Sequence, residues 1–522
     1  MITRKILILS LALVCIAPLV RPQSAEKALS LTLDECIIRA LKNNLNLFIQ
    51  ELAPQQAEYS LQLAQEKFIP SLSFSFRKTD NKAASFSWLD APTDSSITRT
   101  DSLAGSINQA VPTGGALTIN MSGTKNFTNQ RLQTVNPRYN ANLQFSFSQP
   151  LLRDFGPKMS RRQIILAHNG LEKAGYDFEA NVAGLVYDVE TTYWNLVYSI
   201  ENLNVVRLSL KLAQDLLEQN QRAVEIGTMA PRDVLTAKST VASREADIIA
   251  AEAQVKSAED QLRSILNLMG DEKSAGAIIP ADKPNLEIKP VDLNQSLIIA
   301  MQNRPELKSL KIDLDSQNIN LSVARNQLLP NLSFNASYTS PGLSGDRVLY
   351  LNNDPLSGIV VGTIPGGYSD AIKNAMKFLY RNWNINLTLD IPLSNILSRA
   401  SLAQAQASLK TSELQLKNRE QQIYLEIKSA VRDLETNAKR VQALKIATDL
   451  ADQNLKAEQE KLRVGLSTPY QVLQFQEQLT RARTSELQAT INLNTARAKL
   501  DQVLGTSLES KNIKIADMLG NK

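Results

Sequence analysis

One histidine, His168, and two cysteines, Cys15 and Cys36, are all the imidazole and thiol in 522 residues. A nucleophile–histidine triad needs its base beside the nucleophile, and a structural zinc site draws its ligands from several His and Cys side chains. Neither can be built within one chain from this supply. His168 falls in the polar start of a long helical stretch, where it reads as a surface residue and not as a base. The chain is therefore read as a non-enzyme, with no catalytic residue, cofactor or metal site expected. The positions that invite a functional reading are of other kinds: glycines in two related turns, and Leu, Phe and Trp alternating with Asn, Ser and Thr.

The elements that would carry them follow from composition and pattern. At 43% hydrophobic and 21% charged, the chain is ordinary for a folded protein. Beyond the first 20 residues no stretch approaches the roughly 20 apolar residues of a spanning helix. The start differs: Arg4 and Lys5 precede the apolar run Ile6–Val20, and small or polar residues follow it. That order is a secretory signal, 1–25, with cleavage near Ala25. Val14 before Cys15 is a poor fit to the small residue that lipoprotein processing requires. Removing the leader takes away Arg4, Lys5 and Arg21 and lowers the formal charge from +5 to +2, so nothing points to a nucleic-acid partner. Only Cys36 remains, which excludes an intrachain disulfide and leaves stability to packing or oligomerisation.

The chain repeats itself. Moved by 260, residues 31–76 fall on 291–336 with eleven identities, from Leu33/Leu293 to Phe74/Phe334. Pro150–Leu151 answers Pro392–Leu393 at an offset of 242, and Gly227, Pro231, Val234 and Leu235 answer Gly465, Pro469, Val472 and Leu473 at 238. Two copies follow, 26–270 and 291–505, joined by a linker 271–290 and trailed by a tail 506–522. The first copy is expected to hold a strand pair within 71–148 and a helical hairpin over 157–268. The second holds them within 331–391 and over 394–504.

Each copy changes period at its prolines. After Pro70, Leu72, Phe74 and Phe76 alternate with serines; Leu143, Phe145 and Phe147 alternate with Gln and Ser. Phe334 belongs to the matching run after Pro330, and Trp383, Ile385, Leu387, Leu389 and Ile391 alternate with Asn, Thr and Asp. Period two gives strands with one apolar and one polar face. A soluble sandwich is the competing reading of such alternation. Strands of about nine to eleven residues fit a tilted bilayer crossing, and an isolated pair cannot build its own soluble core. A membrane β-barrel shared between chains is therefore favoured. Leu103–Val111 and Leu117–Thr124, split by Pro112–Gly115, form an additional hairpin whose place, in the barrel or capping it, the pattern leaves open.

Past Pro157 and Pro392 almost no breaker occurs until Gly227 and Gly465. Leu402, Leu409, Leu416 and Ile423, then Leu434, Val441, Thr448, Leu455 and Leu462, recur every seven residues as in a coiled-coil seam. A second helix returns after each Gly–Pro turn.

Signal, duplication, two-period copies and the turns Glu225-Ile226-Gly227-Thr228-Met229 and Arg463-Val464-Gly465-Leu466-Ser467 together resemble the outer-membrane efflux proteins of the TolC family. The continuation Asp233-Val234-Leu235-Thr236-Ala237 and the segment Gln149-Pro150-Leu151-Leu152 are similar to further family patterns. The resemblance covers nearly all of the mature chain. It implies a mainly α fold with membrane β: a homotrimer whose outer-membrane β-barrel continues into a periplasmic coiled-coil barrel. Such a duct passes cargo from an inner-membrane pump (RND, ABC or similar), through a periplasmic adaptor, to the exterior. It also implies adaptor contacts at Ile226, Gly227, Thr228, Met229, Val464, Gly465, Leu466 and Ser467. Leu72, Phe74, Phe145, Phe147, Phe334, Trp383, Ile385 and Leu387 would face outer-membrane lipid. A periplasmic constriction would lie at Asp233, Gln471 and Gln474. Where family members with an acidic gate carry carboxylates, this chain has the two glutamines, and a cation-binding ring is not expected. Arg232 is expected to pair with Asp233. A periplasmic adaptor has one hairpin where this chain has two, and a secreted structural coiled coil leaves the amphipathic strands unexplained.

Overall fold

A computed structural model describes residues 29–85, 95–130, 133–269, 276–287 and 290–515. The leader with Cys15, parts of the linker and the last residues of the tail lie outside that set. The first copy runs β1 (Leu29–Leu31), α1 (Leu33–Asn43), α2 (Leu45–Glu66), β2 (Ser71–Ala84), β3 (Ser95–Ala110), β4 (Ala116–Thr128), β5 (Val135–Pro150), α3 (Pro157–Ser160), α4 (Arg162–Glu225) and α5 (Pro231–Ile265). The linker carries β6 (Ile278–Pro280); the second copy runs α6 (Leu293–Asn303), α7 (Pro305–Asn326), β7 (Asn331–Tyr350), β8 (Val360–Ile364), α8 (Tyr368–Met376), β9 (Asn382–Asp390), α9 (Ile396–Arg463) and α10 (Pro469–Leu504), and the tail adds α11 (Ser507–Ser510).

Local chemistry sets the helix limits. Thr32 and Glu35 close a capping box on α1, while Pro231, Pro305 and Pro469 start helices where a missing N–H costs nothing. The repeat reaches single bonds. Asn44 Nδ2 donates to the Ile265 carbonyl at 2.9 Å, and at the equivalent place Arg304 Nη1 donates to the Val503 carbonyl at 3.1 Å. α4 and α9, of 64 and 68 residues, are each about 100 Å long. Along α9 the seven-residue seam is buried at Ile423, Leu434, Val441, Thr448 and Leu455 and half-buried at Leu402, Leu409, Leu416 and Leu462. The middle of the seam joins Leu307, Leu493, Leu500 and Val503 in one core, each buried Leu or Ile contributing about 2 kcal/mol. The first copy packs Val186, Val189, Tyr193, Leu196, Leu262 and Leu266 in the same manner.

The long strands form one antiparallel sheet in the order β2-β3-β4-β5-β7-β9, with β8 beside the far half of β7. Three sequence expectations need correction. The strands are mostly longer than nine to eleven residues, from 13 in β4 to 20 in β7, because the alternation continues into polar residues beyond the apolar band; only β9, with 9, has the expected length. The first copy gives this sheet four strands, not a pair, since the extra hairpin is paired along its length between β2 and β5. The linker is not merely connecting chain: its Ile278–Pro280 lies parallel to Leu29–Leu31 and buries Ile278 in the first core. The tail also packs back, with Lys511 bonded to Asp34 and Glu190.

Candidate functional site

Strand register sorts the sheet's side chains. Phe74 lies opposite Gly105, which opposes Met121, then Leu143, then Ser340; Phe145 opposes Tyr338, which opposes Trp383. One face therefore gathers Leu72, Phe74, Leu103, Ile107, Phe145, Phe147, Phe334, Trp383, Ile385 and Leu387. The other gathers Ser73, Ser106, Asn120, Gln144, Ser337 and Asn384. On the edge strands the apolar side chains stand in the open: Phe74 is 75% exposed and Trp383 71%. A single chain thus leaves two strand edges unpaired and an apolar face that only β-barrel closure within lipid would satisfy.

α8 packs on that apolar face, toward the ends of the strands distant from the helices. A Cβ at Gly342 would meet the Ala371 carbonyl oxygen at 2.0 Å, and one at Gly123 would meet the Tyr368 ring at 3.0 Å. Ala141, Ala371 and Ala375 form the buried contact, and the Ser340 hydroxyl donates to the Ala375 carbonyl at 2.6 Å. Tyr139 and Tyr368 meet edge to face at 5.0 Å, with Lys125 over the Tyr139 ring. The sequence reading missed this helix, whose signals were the apolar residues Tyr368, Ala371, Ile372 and Ala375 at helical spacing.

At the opposite end, both hairpins turn by the same device. Gly227 and Gly465 have φ of +76° and +80°, and Thr228 N–H and Leu466 N–H reach back to the Ala223 and Lys461 carbonyls. These are Schellman closures, in which a glycine accepts the left-handed conformation without a side-chain penalty. The two turns flank one cleft of about 860 Å³, lined among others by Thr228, Met229, Asp233, Gly465, Ser467 and Thr468. Ile226, Val464 and Leu466 protrude from it, 75%, 59% and 80% exposed.

The other expected positions are not all equivalent. Asp233 lines the cleft, whereas Gln471 and Gln474 are exposed on the first turns of α10. Gln474 Nε2 donates to the Tyr470 hydroxyl at 3.0 Å. Arg232 and Asp233 do not pair: neighbours on a helix point apart, and no ion pair joins them among the described residues. Ser467 donates to Glu458 Oε1, and Lys461 Nζ lies 3.1 Å from Glu458 Oε2. That hydroxyl, and then the ammonium, hold the Glu458 carboxyl below its ordinary range. Glu458 escaped the sequence reading, although a carboxylate three residues after Leu455 sits on the apolar seam and was a readable signal.

A second charged cluster lies nearer the sheet. Arg304, its side chain 5% exposed, bonds Glu306 at 3.0 Å and Glu426 at 2.9 Å, and Arg419 bridges the same two carboxylates. Against a burial effect that raises it, hydrogen bonds from Arg304 and the two guanidinium charges hold the Glu306 carboxyl low. His168 is exposed on α4.

Strand ribbons with one apolar and one polar face, carried on duplicated helical hairpins, define an outer-membrane channel subunit. The family profile described as outer membrane efflux protein matches residues 36–268 and 298–506, so the chain belongs to that family, in the cell outer membrane with its helices in the periplasm. Nodulation protein T of Rhizobium leguminosarum bv. trifolii is 21% identical over 395 residues, 74% of this chain and 77% of that one. Outer membrane protein TolC of Vibrio cholerae is 23% identical over 366 residues, covering 70% of this chain and 76% of its own. The Campylobacter jejuni CmeC outer membrane channel superposes with a TM-score of 0.63 at 16% identity, over 93% of this chain and 90% of that one. A membrane protein from Pseudomonas aeruginosa gives 0.65 at 16% identity, over 91% and 93%.

Proposed function

We propose that three copies of this chain form a passive exit duct that carries cargo from an inner-membrane pump, through a periplasmic adaptor, to the exterior. The observation that carries the reading is the open-edged sheet with one apolar and one polar face on helices about 100 Å long. In such an assembly β2 of one copy meets β9 of the next, which pairs the exposed edges. Leu72, Phe74, Phe145, Phe147, Phe334, Trp383, Ile385 and Leu387 then face lipid, and the Asn, Ser and Thr face lines water. No bond is made or broken; the work lies in closing a water-filled path and in opening its narrow end.

The adaptor meets the hairpin turns. Ile226, Val464 and Leu466 supply apolar contact, and Gly227 and Gly465 allow close approach of backbone. Thr228 and Met229 border the cleft between the turns, while Ser467, spent on Glu458, holds a turn in shape. Asp233, Gln471 and Gln474 line the constriction, where neutral amides stand at 471 and 474 and Asp233 is the one carboxylate of each copy. A photocrosslinking residue at Leu466 tests this in living cells. Capture of a periplasmic adaptor, identified by mass spectrometry, is expected, whereas the same residue at exposed Leu414 on the helix shaft should give none. Equal yields from both positions would overturn the tip assignment.

A further inference from the structure

We infer that the hairpin β3–β4 is a full membrane-crossing part of the barrel, so that each copy contributes six strands and the trimer closes with eighteen. The count rests on the trimer proposed above; the membership of the hairpin rests on the sheet itself. β3 pairs with β2 from Ser71↔Asn108 to Ala84↔Ser95, and β4 pairs with β5 from Ala116↔Ser148 to Asn126↔Arg138. Neither β3 nor β4 can leave this order without abandoning a ladder on both sides.

The hairpin also obeys the two-faced rule of its neighbours. Leu103, Ile107, Leu117, Ile119 and Met121 fall on the apolar face; Ser102, Ser106, Thr118, Asn120 and Ser122 fall on the polar one. A cap above the barrel would have no use for that alternation.

Its turn is fixed where the other strands enter the helices. Gly156 N–H donates to the Thr113 carbonyl at 2.9 Å, and Gln149 Nε2 donates to the same oxygen at 3.1 Å. Gln109 Nε2 reaches the Phe68 carbonyl at 2.7 Å, just before β2 begins. A Cβ on Gly114 would stand 2.5 Å from the Asp154 carbonyl oxygen, so only glycine fits this approach. The hairpin thus starts and ends at the same level as β2 and β5.

Widths agree. At about 4.8 Å between strands and a tilt of about 40°, six strands occupy roughly 38 Å of circumference. Four long helices at about 8–10 Å apart occupy roughly 32–40 Å. With the hairpin, the sheet of one copy is as wide as the layer of α2, α4, α7 and α9 that meets it; with four strands it would cover only about 25 Å. Eighteen strands give a backbone diameter of about 36 Å, against about 24 Å for twelve. Because α8 sits on the apolar face, it does not enter this bore. At the level of the strands the bore is therefore wide, and α8 does not narrow it.

Two measurements on the purified trimer and in cells decide this. In a Cys36→Ala background, Ser106→Cys and Asn120→Cys should react with a charged, membrane-impermeant maleimide, while Ile107→Cys and Ile119→Cys should react at least tenfold more slowly. Equal reactivity at both parities would overturn the hairpin's place in the wall. Electron cryo-microscopy of the detergent-solubilised protein should resolve eighteen strands in a three-fold ring. A three-fold ring of twelve strands would refute the inference and leave the trimer standing. A ring of another copy number, with six strands from each, would refute the trimer and the figure of eighteen while upholding six per chain.

Discussion

Replacing Arg304 with methionine keeps a long side chain in place and removes the charge that Glu306 and Glu426 share. Breaking a fully buried ion pair from one side costs about 3–5 kcal/mol. Here the guanidinium is buried, but the carboxylates are 34% and 35% exposed and Arg419 still reaches both. Solvent and that second cation reduce the expected loss to about 2 kcal/mol. The bond to the Val503 carbonyl is lost as well, and with it a tie between α6–α7 and the end of α10. Urea-induced loss of helicity in detergent, followed by circular dichroism at pH 7.5, measures the change. The sign with pH is fixed: the Glu306 carboxyl is held below its ordinary value of 4.5 in the folded protein. Its contribution is therefore present above about pH 4.5 and lost as pH falls through the folded value. The gap between wild type and Arg304→Met should shrink as pH falls from 4.5 through the lower folded value. Combined with Glu306→Gln, the two losses should fail to add by about 1 kcal/mol. Additive losses, or a gap unchanged at low pH, would refute the idea that these charges act as a unit.

Gly465→Val forces a β-branched residue into φ of +80°, at a cost of about 1–2 kcal/mol, and should weaken adaptor crosslinking from Leu466 while leaving the amount of trimer in the membrane unchanged. Gly342→Leu has no room beneath Ala371, so a cysteine at Ala371, unreactive in the wild-type background, should become open to maleimide. Planar-bilayer conductance should respond weakly to divalent cations, because Gln471 and Gln474 are neutral and leave Asp233 as the single carboxylate each copy places there; block at low divalent concentration would contradict that assignment. Ser467→Ala removes the first of the two groups that hold the Glu458 carboxyl low, and that carboxyl should titrate closer to its ordinary 4.5, as followed by isotope-edited infrared spectroscopy.

Much of this molecule was legible because two periods cannot be confused over long runs. The seam from Leu402 to Leu462 and the alternation from Trp383 to Ile391 each state their element and their buried face. The turns were legible through Gly227 and Gly465, since a left-handed residue before a helix-starting proline has few substitutes. What escaped was short or nonlocal. β6 is three residues whose only cue is the pair Ile278–Ile279, and its partner β1 lies almost 250 residues earlier. The place of the β3–β4 hairpin depended on pairing partners, which alternation alone does not name. Arg304 reads in sequence as one more surface cation; only the fold brings Glu426 and Val503 to it. The Arg232–Asp233 pairing was expected from adjacency, which on a helix separates side chains instead of joining them.

Native mass spectrometry of the protein released from outer membranes in mild detergent addresses the whole account most directly. Three copies held together, with Trp383 shielded from aqueous iodide, is the predicted result. A stable single subunit with that tryptophan freely quenched would mean that the strand edges are not sealed by sister chains, and the duct would not exist.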